Sequence, residues 1–324
     1  MKCDAVLFGA SGLGRLAGTI LVSQYNIIGF CDNDSKKWGT EFEGIQVFPP
    51  DKLKEIKAKV IITSCYSDEI ALQLTEMGID DYFIFTTGLT RYVKGTLSHM
   101  QDMIRKDQEF MEIYSFVKDY TMTSIEKIYA LYQSVKYIIT NNIPGDFVEC
   151  GVWRGGSAMA MALTLKTLGA ERDIYLYDLF GAPVLETLKV EDYKGDIEVV
   201  EEGEQPELWK VSLAEVKNNL KTTGYPDGRF VFAEGPVEKT LPLILPSQIS
   251  LLRLDTDFYE STYLELKYLY PKLSFNGVLI IDDYGQYFEC KRAVDQFFDE
   301  NRTHVLLNRI DLGGRIGIKV RTNI

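Results

Sequence analysis

Histidine is almost missing from this chain: its 324 residues include only His99 and His304. Neither lies beside a nucleophile-like motif, so histidine-based triads and zinc sites built on several histidines have no support. Any metal would have to be held by carboxylates, the ligands of hard cations. Cysteine is scarce as well. The five, Cys3, Cys31, Cys65, Cys150 and Cys290, form no Cys-x-x-Cys pair, and their odd number argues against a disulfide framework. All but Cys290 fall in or next to apolar strand-like runs, where a free thiol packs as a small hydrophobe, so a reducing, cytoplasmic compartment is expected. Positive charge is in deficit: 35 Lys and Arg face 47 Asp and Glu, a net charge of −12. Nucleic acids and anionic membranes call for a basic face, and neither partner is expected. No apolar run approaches the roughly 20 residues of a membrane span. The opening "MKCDAVLFGASG" reads as a strand and turn rather than a signal peptide.

What remains is an ordinary globular balance, 46% hydrophobic and 25% charged, in a chain long enough for two domains. Residues 1–95 read as a small parallel α/β domain. "DAVLFGA", "NIIGFCDND", "AKVIITS" and "DYFIF" are strand-like, with helical patterns at 12–23 and in "SDEIALQLTEMGI". Residues 96–120 suggest a solvated connecting helix. A second α/β series fills 121–324. "TSIE", Thr123 to Glu126, matches a capping box ahead of the periodic run "IYALYQSVKYII". Strand patterns follow in "DFVECGV", "DIYLYDLF", "RFVFAEG", "ISLLRLDTD" and "GVLIIDDYG". "HVLLNRID" and "RIGIKV" then flank "LGG" as a hairpin. The sum is a seven-stranded, mostly parallel sheet. Residues 198–204 form a short acidic stretch, read as loop.

Two glycine-rich turns follow apolar strands. In "FGASGLGRLAG", Gly9, Gly12 and Gly14 give Gly-x-x-Gly-x-Gly, which is not the order of the dinucleotide fingerprint. Asp32, 20 residues after Gly12, stands where a ribose-binding acid would. An NAD(P)-dependent oxidoreductase built on this turn is one reading, but no Tyr-x-x-x-Lys proton donor accompanies it. In "FVECGVWRGGS", Glu149, Gly151, Gly155 and Gly156 let the backbone approach a ligand and enter a helix whose N–H groups face it. Glu149 can accept from an ammonium, as the methionine end of S-adenosylmethionine carries. Asp178 closes the next strand, 29 residues on, and could hold ribose hydroxyls. A tight structural turn is the competing explanation.

Asp255 and Asp257 in "RLDTDFYEST", and Asp282 and Asp283 in "LIIDDYG", end two further strands. Crowded carboxylates resist ionisation, and a divalent cation such as Mg²⁺ is the natural compensation. Alternatively, Asp257 and Asp283 cap the following helices, while Asp255 and Asp282 pair with Arg253 or Arg292.

"IPGDFVECGVWRGGSA", "GPVEKTLP", "LLRLDTDFYEST" and "GVLIIDDYG" resemble the macrocin O-methyltransferase (TylF/MycF-type) family, over about residues 122–320. The resemblance implies a class I methyltransferase fold, a Rossmann-like seven-stranded sheet preceded here by the smaller α/β domain. It implies S-adenosylmethionine and Mg²⁺ as cofactors and a sugar hydroxyl as acceptor. Carried over, Glu149, Gly151 and Ser157 surround the methionine part, Asp178 holds the ribose, and Met122 and Thr123 lie in the segment closing over the cofactor. Asp255, Asp282 and Asp283 hold the metal, and Asp257 is the general base. Asp178-Leu179-Phe180 departs from the family's Asp-Thr-Phe, and the acceptor side beyond it, 181–209, differs too. "LFGASGLGRLAG" with "GFCDNDSKKWGTEFEGIQVFPPDKL" resembles the small N-terminal domain of bacterial sugar O- and N-acyltransferases, which implies a nucleotide-linked sugar as ligand. A structural or dimerising unit is the alternative there, and a homo-oligomer is expected. A non-catalytic ligand-binding protein that keeps the fold is the last competitor, and the intact carboxylate set argues against it.

Overall fold

The computed structural model describes residues 2–64, 66–85, 89–93, 103–182 and 210–321. His99, Cys65, the acidic stretch 198–204 and most of the expected acceptor segment lie outside the described residues. The chain divides into two compact units, Met1–Asp102 and Met103–Ile324, each carrying a seven-stranded sheet. Among the described residues no helix is long and apolar enough to cross a membrane.

In the first unit the strands are β1 (Cys3–Phe8), β2 (Tyr25–Cys31), β3 (Glu41–Phe42), β4 (Ile45–Phe48), β5 (Lys59–Ile62), β6 (Asp81–Phe85) and β7 (Leu89–Val93). They lie in the order β3-β4-β2-β1-β5-β6-β7. β1 is central because Ala5 to Phe8 are all buried, as a parallel strand covered on both faces requires. The inner strands pair in parallel, as expected. Both edges depart from that pattern: β3 turns back on β4, and β7 on β6. Glu43 and Gly44 make the β3–β4 turn with φ of 53° and 71°. Tight hairpins need that geometry, but Glu-Gly is not the Asn-Gly or Asp-Gly pair that announces it.

The second unit has β8 (Asp146–Cys150), β9 (Ile174–Asp178), β10 (Phe230–Glu234), β11 (Ile249–Leu254), β12 (Leu273–Ile281), β13 (Asn308–Arg309) and β14 (Arg315–Ile318). Their order is β10-β9-β8-β11-β12-β14-β13, parallel except for the terminal hairpin strands. This is the seven-stranded sheet expected from the sequence. From β8 the chain steps outward to β9 and β10, then returns on the other flank as β11. That reversal is the switch point where open α/β sheets bind ligands. The register brings the strand ends level: Cys150 lies opposite Tyr177 and Leu254, and Leu254 opposite Ile281. Gly151, Asp178, Asp255 and Asp282 therefore emerge side by side.

Two helix readings need correction. The segment at 96–120 is, from Met103 onward, part of the second unit rather than a solvated connector. Asp107 caps the helix Gln108–Val117 by accepting from Phe110 N, and Phe110, Ile113 and Val117 are buried in that unit's core. The capping box at Thr123 is displaced by one residue. Ser124 is the cap of the helix Ile125–Thr140, accepting from Lys127 N, because the Thr123 hydroxyl is engaged elsewhere. The helix Gly156–Thr167 has Ala158 to Ala162 all buried, the signature of a helix packed on every side.

Candidate active site

The second glycine turn is sterically obligatory. Gly151 has φ +81°, and a Cβ there would lie 1.9 Å from the Asp255 carbonyl oxygen. A Cβ on Gly156 would meet Thr121 Cβ and the Tyr120 carbonyl at 2.6 Å. The bare turn thus brings the helix Gly156–Thr167, with Ser157 in its first turn, against Tyr120 and Thr121. Asp178 braces the turn from β9. Its Oδ2 accepts from Val152 N at 2.6 Å and Trp153 N at 3.0 Å, and its Oδ1 from Phe180 N at 2.8 Å. A carboxylate has about four acceptor positions, so one remains for a ligand hydroxyl.

Arg253 is the centre of the site. It sits in the apolar strand β11 at 2% exposure, yet carries a full charge. Its guanidinium donates to Glu149 Oε1 at 2.8 Å, Asp282 Oδ1 at 2.7 Å and Thr123 Oγ1 at 3.0 Å, and pairs with Asp255 Oδ2 at 2.8 Å. One side chain therefore joins Glu149 ahead of the glycine turn, two acids of the expected metal set and the 122–123 segment. Lys127 adds a second buried cation, its Nζ 2.5 Å from Asp282 Oδ2.

Five carboxyl groups (Glu149, Asp255, Asp257, Asp282 and Asp283) meet these two cations. Burial alone would raise Asp282, but Arg253 and Lys127 reverse this and hold it below the usual carboxylate value. The others go up. Burial pushes Glu149 to about 8 against the pull of Arg253, and its Oε2 has no hydrogen-bond partner. Burial and the neighbouring Asp255 push Asp257 to about 7. Burial, then Asp257 and Asp255, lift Asp283 well above its ordinary value.

The structural alternative for the four aspartates holds for one pair and fails for the other. Asp255 and Asp282 do pair with Arg253, whereas Arg292 turns away to Glu289 and the Tyr259 ring. Asp257 and Asp283 do not cap the helices Tyr259–Leu269 and Phe288–Glu300, whose cap positions are Phe258 and Tyr287. Asp255, Asp282 and Asp283 each present an oxygen within 4.8 Å of the others, and Asp283 Oδ2 is buried without a partner. An all-carboxylate donor set with an orphaned buried oxygen fits a small hard divalent cation. Met122 is 48% exposed.

The structure adds three residues that sequence reading passed over as actors. Arg253 had been weighed only as an ion-pair partner; a charge inside "ISLLRL" was its signal. Lys127 stands at the third helical position, where a capping box places Glu and where the helix dipole disfavours a cation. Glu265, at 0% exposure, accepts from Thr256 Oγ1 at 3.1 Å behind the Asp255–Asp257 turn.

The fold and this site define a class: a Rossmann-like O-methyltransferase with a buried acid, a glycine turn and a carboxylate cluster at the switch point. The comparisons narrow it further. The chain belongs to the macrocin O-methyltransferase (TylF) family, whose description matches residues 54–316. It is therefore an S-adenosylmethionine-dependent O-methyltransferase. Residues 1–85 match a second description, "C2185-like, N-terminal". Demethyldecarbamoylnovobiocin O-methyltransferase of Streptomyces niveus is 36% identical over 180 residues, 55% of this chain and 67% of that protein. The 8-demethyl-8-(2,3-dimethoxy-alpha-L-rhamnosyl)-tetracenomycin-C 4'-O-methyltransferase of Streptomyces olivaceus is 33% identical over the same shares. The solved O-methyltransferase NovP is 33% identical with a TM-score of 0.57, covering 62% of this chain and 83% of that one.

Proposed function

We propose that this enzyme transfers a methyl group from S-adenosylmethionine to a sugar hydroxyl, with Mg²⁺ held by Asp255, Asp282 and Asp283. The excess of buried carboxyls over cations beside the second glycine turn carries this reading. The sugar is supported by the rhamnosyl substrate that the Streptomyces olivaceus relative's name states.

Glu149 Oε2 accepts from the ammonium of the cofactor's methionine part, which explains a buried acid with an open acceptor. The free acceptor position of Asp178 takes a ribose hydroxyl, while Gly151 and Ser157 line the turn between them. Met122 and Thr123 belong to the covering segment. A divalent cation supplies Lewis acidity to the acceptor hydroxyl. Asp257 is the general base. Burial and the neighbouring Asp255 raise its pKa above the ordinary carboxylate value, which favours proton uptake. The hydroxyl proton passes to Asp257, the oxygen bonds the methyl carbon, and the carbon–sulfur bond breaks in line, leaving S-adenosylhomocysteine. Alignment and proton removal are what the protein contributes.

The first unit is read, by itself, as a domain that binds a nucleotide-linked sugar. Asp32 supports a ligand-facing turn there as Asp178 does in the second unit. Its carboxylate accepts from Ala10 N, Asp34 N and Lys37 Nζ, which leaves one acceptor position. The decisive experiment incubates the full chain with S-adenosylmethionine and a panel of free and nucleotide-linked sugars, with and without EDTA, and reads methylated product by mass spectrometry. Full turnover in excess EDTA sinks the metal assignment, and free sugars methylated as well as nucleotide-linked ones sink the role of the first unit.

A further inference from the structure

We propose that Lys127 is a positioning residue for the cation site: its ammonium is a built-in counter-charge on Asp282 and leaves that carboxylate when a divalent cation binds. The inference rests on the cation site proposed above. Both oxygens of Asp282 are occupied, Oδ1 by Arg253 at 2.7 Å and Oδ2 by Lys127 at 2.5 Å. Each oxygen could still accept a second contact, but a divalent cation on either would stand close to the positive charge already there, and like charges at that range repel. Arg253 is fixed inside β11 by Glu149, Asp255 and Thr123 as well. Lys127 reaches Asp282 on a flexible four-carbon stem from the first turn of the helix Ile125–Thr140, and its ammonium is a compact point charge that exchanges partners readily. Its position opposes the helix dipole, so the carboxylates opposite are what keep it there.

A second berth is built beside it. Asp311 accepts from Ser124 Oγ at 2.7 Å and from the backbone N–H groups of Gly313 and Gly314. A Cβ on Gly314 would lie 3.1 Å from Lys127 Cε and 3.2 Å from Asp311 Oδ1, and one on Gly313 3.3 Å from Lys127 Nζ. With glycine at both positions, no side chain from them crowds the lysine stem. Asp311 also holds Ser124, the cap next to Thr123, so the same move links cation loading to the segment that covers the cofactor.

The test is calorimetric titration of the full chain with Mg²⁺ and Mn²⁺. Lys127→Met is expected to bind either ion at least about tenfold more tightly, since a like charge has been removed at close range. Asp283→Asn is expected to lose binding. Unchanged or weaker binding in Lys127→Met, with binding still abolished by Asp283→Asn, overturns this inference and leaves the cation site standing. Absence of binding in both the wild type and Lys127→Met overturns the site and the inference together. A measurement on the wild type guards against a variant that fails to fold. In isotope-labelled lysine spectra, assigned with Lys127→Arg, the sheltered Lys127 ammonium signal is expected to shift or vanish on saturation with Mg²⁺. A signal unmoved while calorimetry reports binding overturns the inference.

Discussion

Two glycine turns of similar build join strand to helix in this molecule, and among the described residues the carboxylate cluster gathers at the second. Both turns follow a buried parallel strand, use a glycine at positive φ (Gly9 at +129°, Gly151 at +81°) and run into a helix. Both are braced from the end of the next strand by an aspartate, Asp32 to Ala10 N at 2.9 Å and Asp178 to Val152 N at 2.6 Å. The flanking strand on the other side makes the difference. In the first unit β5 leads to Thr63, whose hydroxyl donates to the Gly9 carbonyl. In the second, β11 supplies Arg253 and Asp255, and β12 adds Asp282 and Asp283. The glycine turn and its aspartate are a way of joining strand to helix. Reactivity depends on what the neighbouring strands deliver to the same edge.

The widest gap between the two turns is expected in turnover. Asp257→Asn removes the proton acceptor and is expected to lower kcat by about 10²–10⁴-fold while S-adenosylmethionine still binds, read by steady-state kinetics and calorimetry. Near-normal turnover would show that the second turn does not owe its function to this carboxylate.

Next in size is stability. Arg253→Met leaves the buried Glu149 and Asp282 and the half-buried Asp255 without their shared cation, and breaking a largely buried network of this kind costs about 3–5 kcal/mol. Urea unfolding of the second unit is expected to show that loss. A drop below about 1 kcal/mol, the size of a surface pair, would mean that Arg253 is not the centre of the site.

A smaller effect should appear with pH. Burial raises Glu265 to about 8 from an ordinary 4.5, so the folded chain holds a proton that the unfolded chain gives up. Its contribution to stability is complete below pH 4.5 and is lost as pH rises through 8. Glu265→Gln keeps the bond to Thr256 but cannot ionise. Its unfolding free energy is expected to fall less steeply between pH 5 and 8, by on the order of 1 kcal/mol per pH unit. Identical slopes in urea melts at three pH values would refute the buried protonated acid.

Much of this was legible in the sequence because strand patterns and motif spacing are local. The seven strands of the second sheet, the acids at their ends and the obligatory Gly151 followed from apolar runs and from what stands directly after them. Partners 100 residues apart were not legible. Glu149 meets Arg253 across 104 positions, and Lys127 meets Asp282 across 155, through a register that no local pattern encodes. The capping residue slipped by one because Thr123 and Ser124 both suit a cap, and a distant arginine decided between them. The strands β3, β4 and β7 were missed; β3, at two residues, has too little periodicity to read, and Glu43-Gly44 is an unusual pair for the turn that joins it to β4.

The smallest expected effect belongs to the first turn and tests whether its brace is structural. Lys37 Nζ lies 3.0 Å from Asp32 Oδ2, but its side chain is 39% exposed, against 9% for Lys127 in the corresponding pair of the second unit. With the side chain that open to water the pair is screened, so Lys37→Met, which also removes a bond to the Ala10 carbonyl, is expected to destabilise the first unit by no more than about 1 kcal/mol. Asp32 keeps its two backbone donors, Ala10 N and Asp34 N, and the turn should hold its shape. With saturating acceptor, kcat should match the wild type, because no group in contact with the reacting atoms has changed. A fall in kcat would place the first turn within the catalytic cycle, and the contrast between the two turns would then be one of degree.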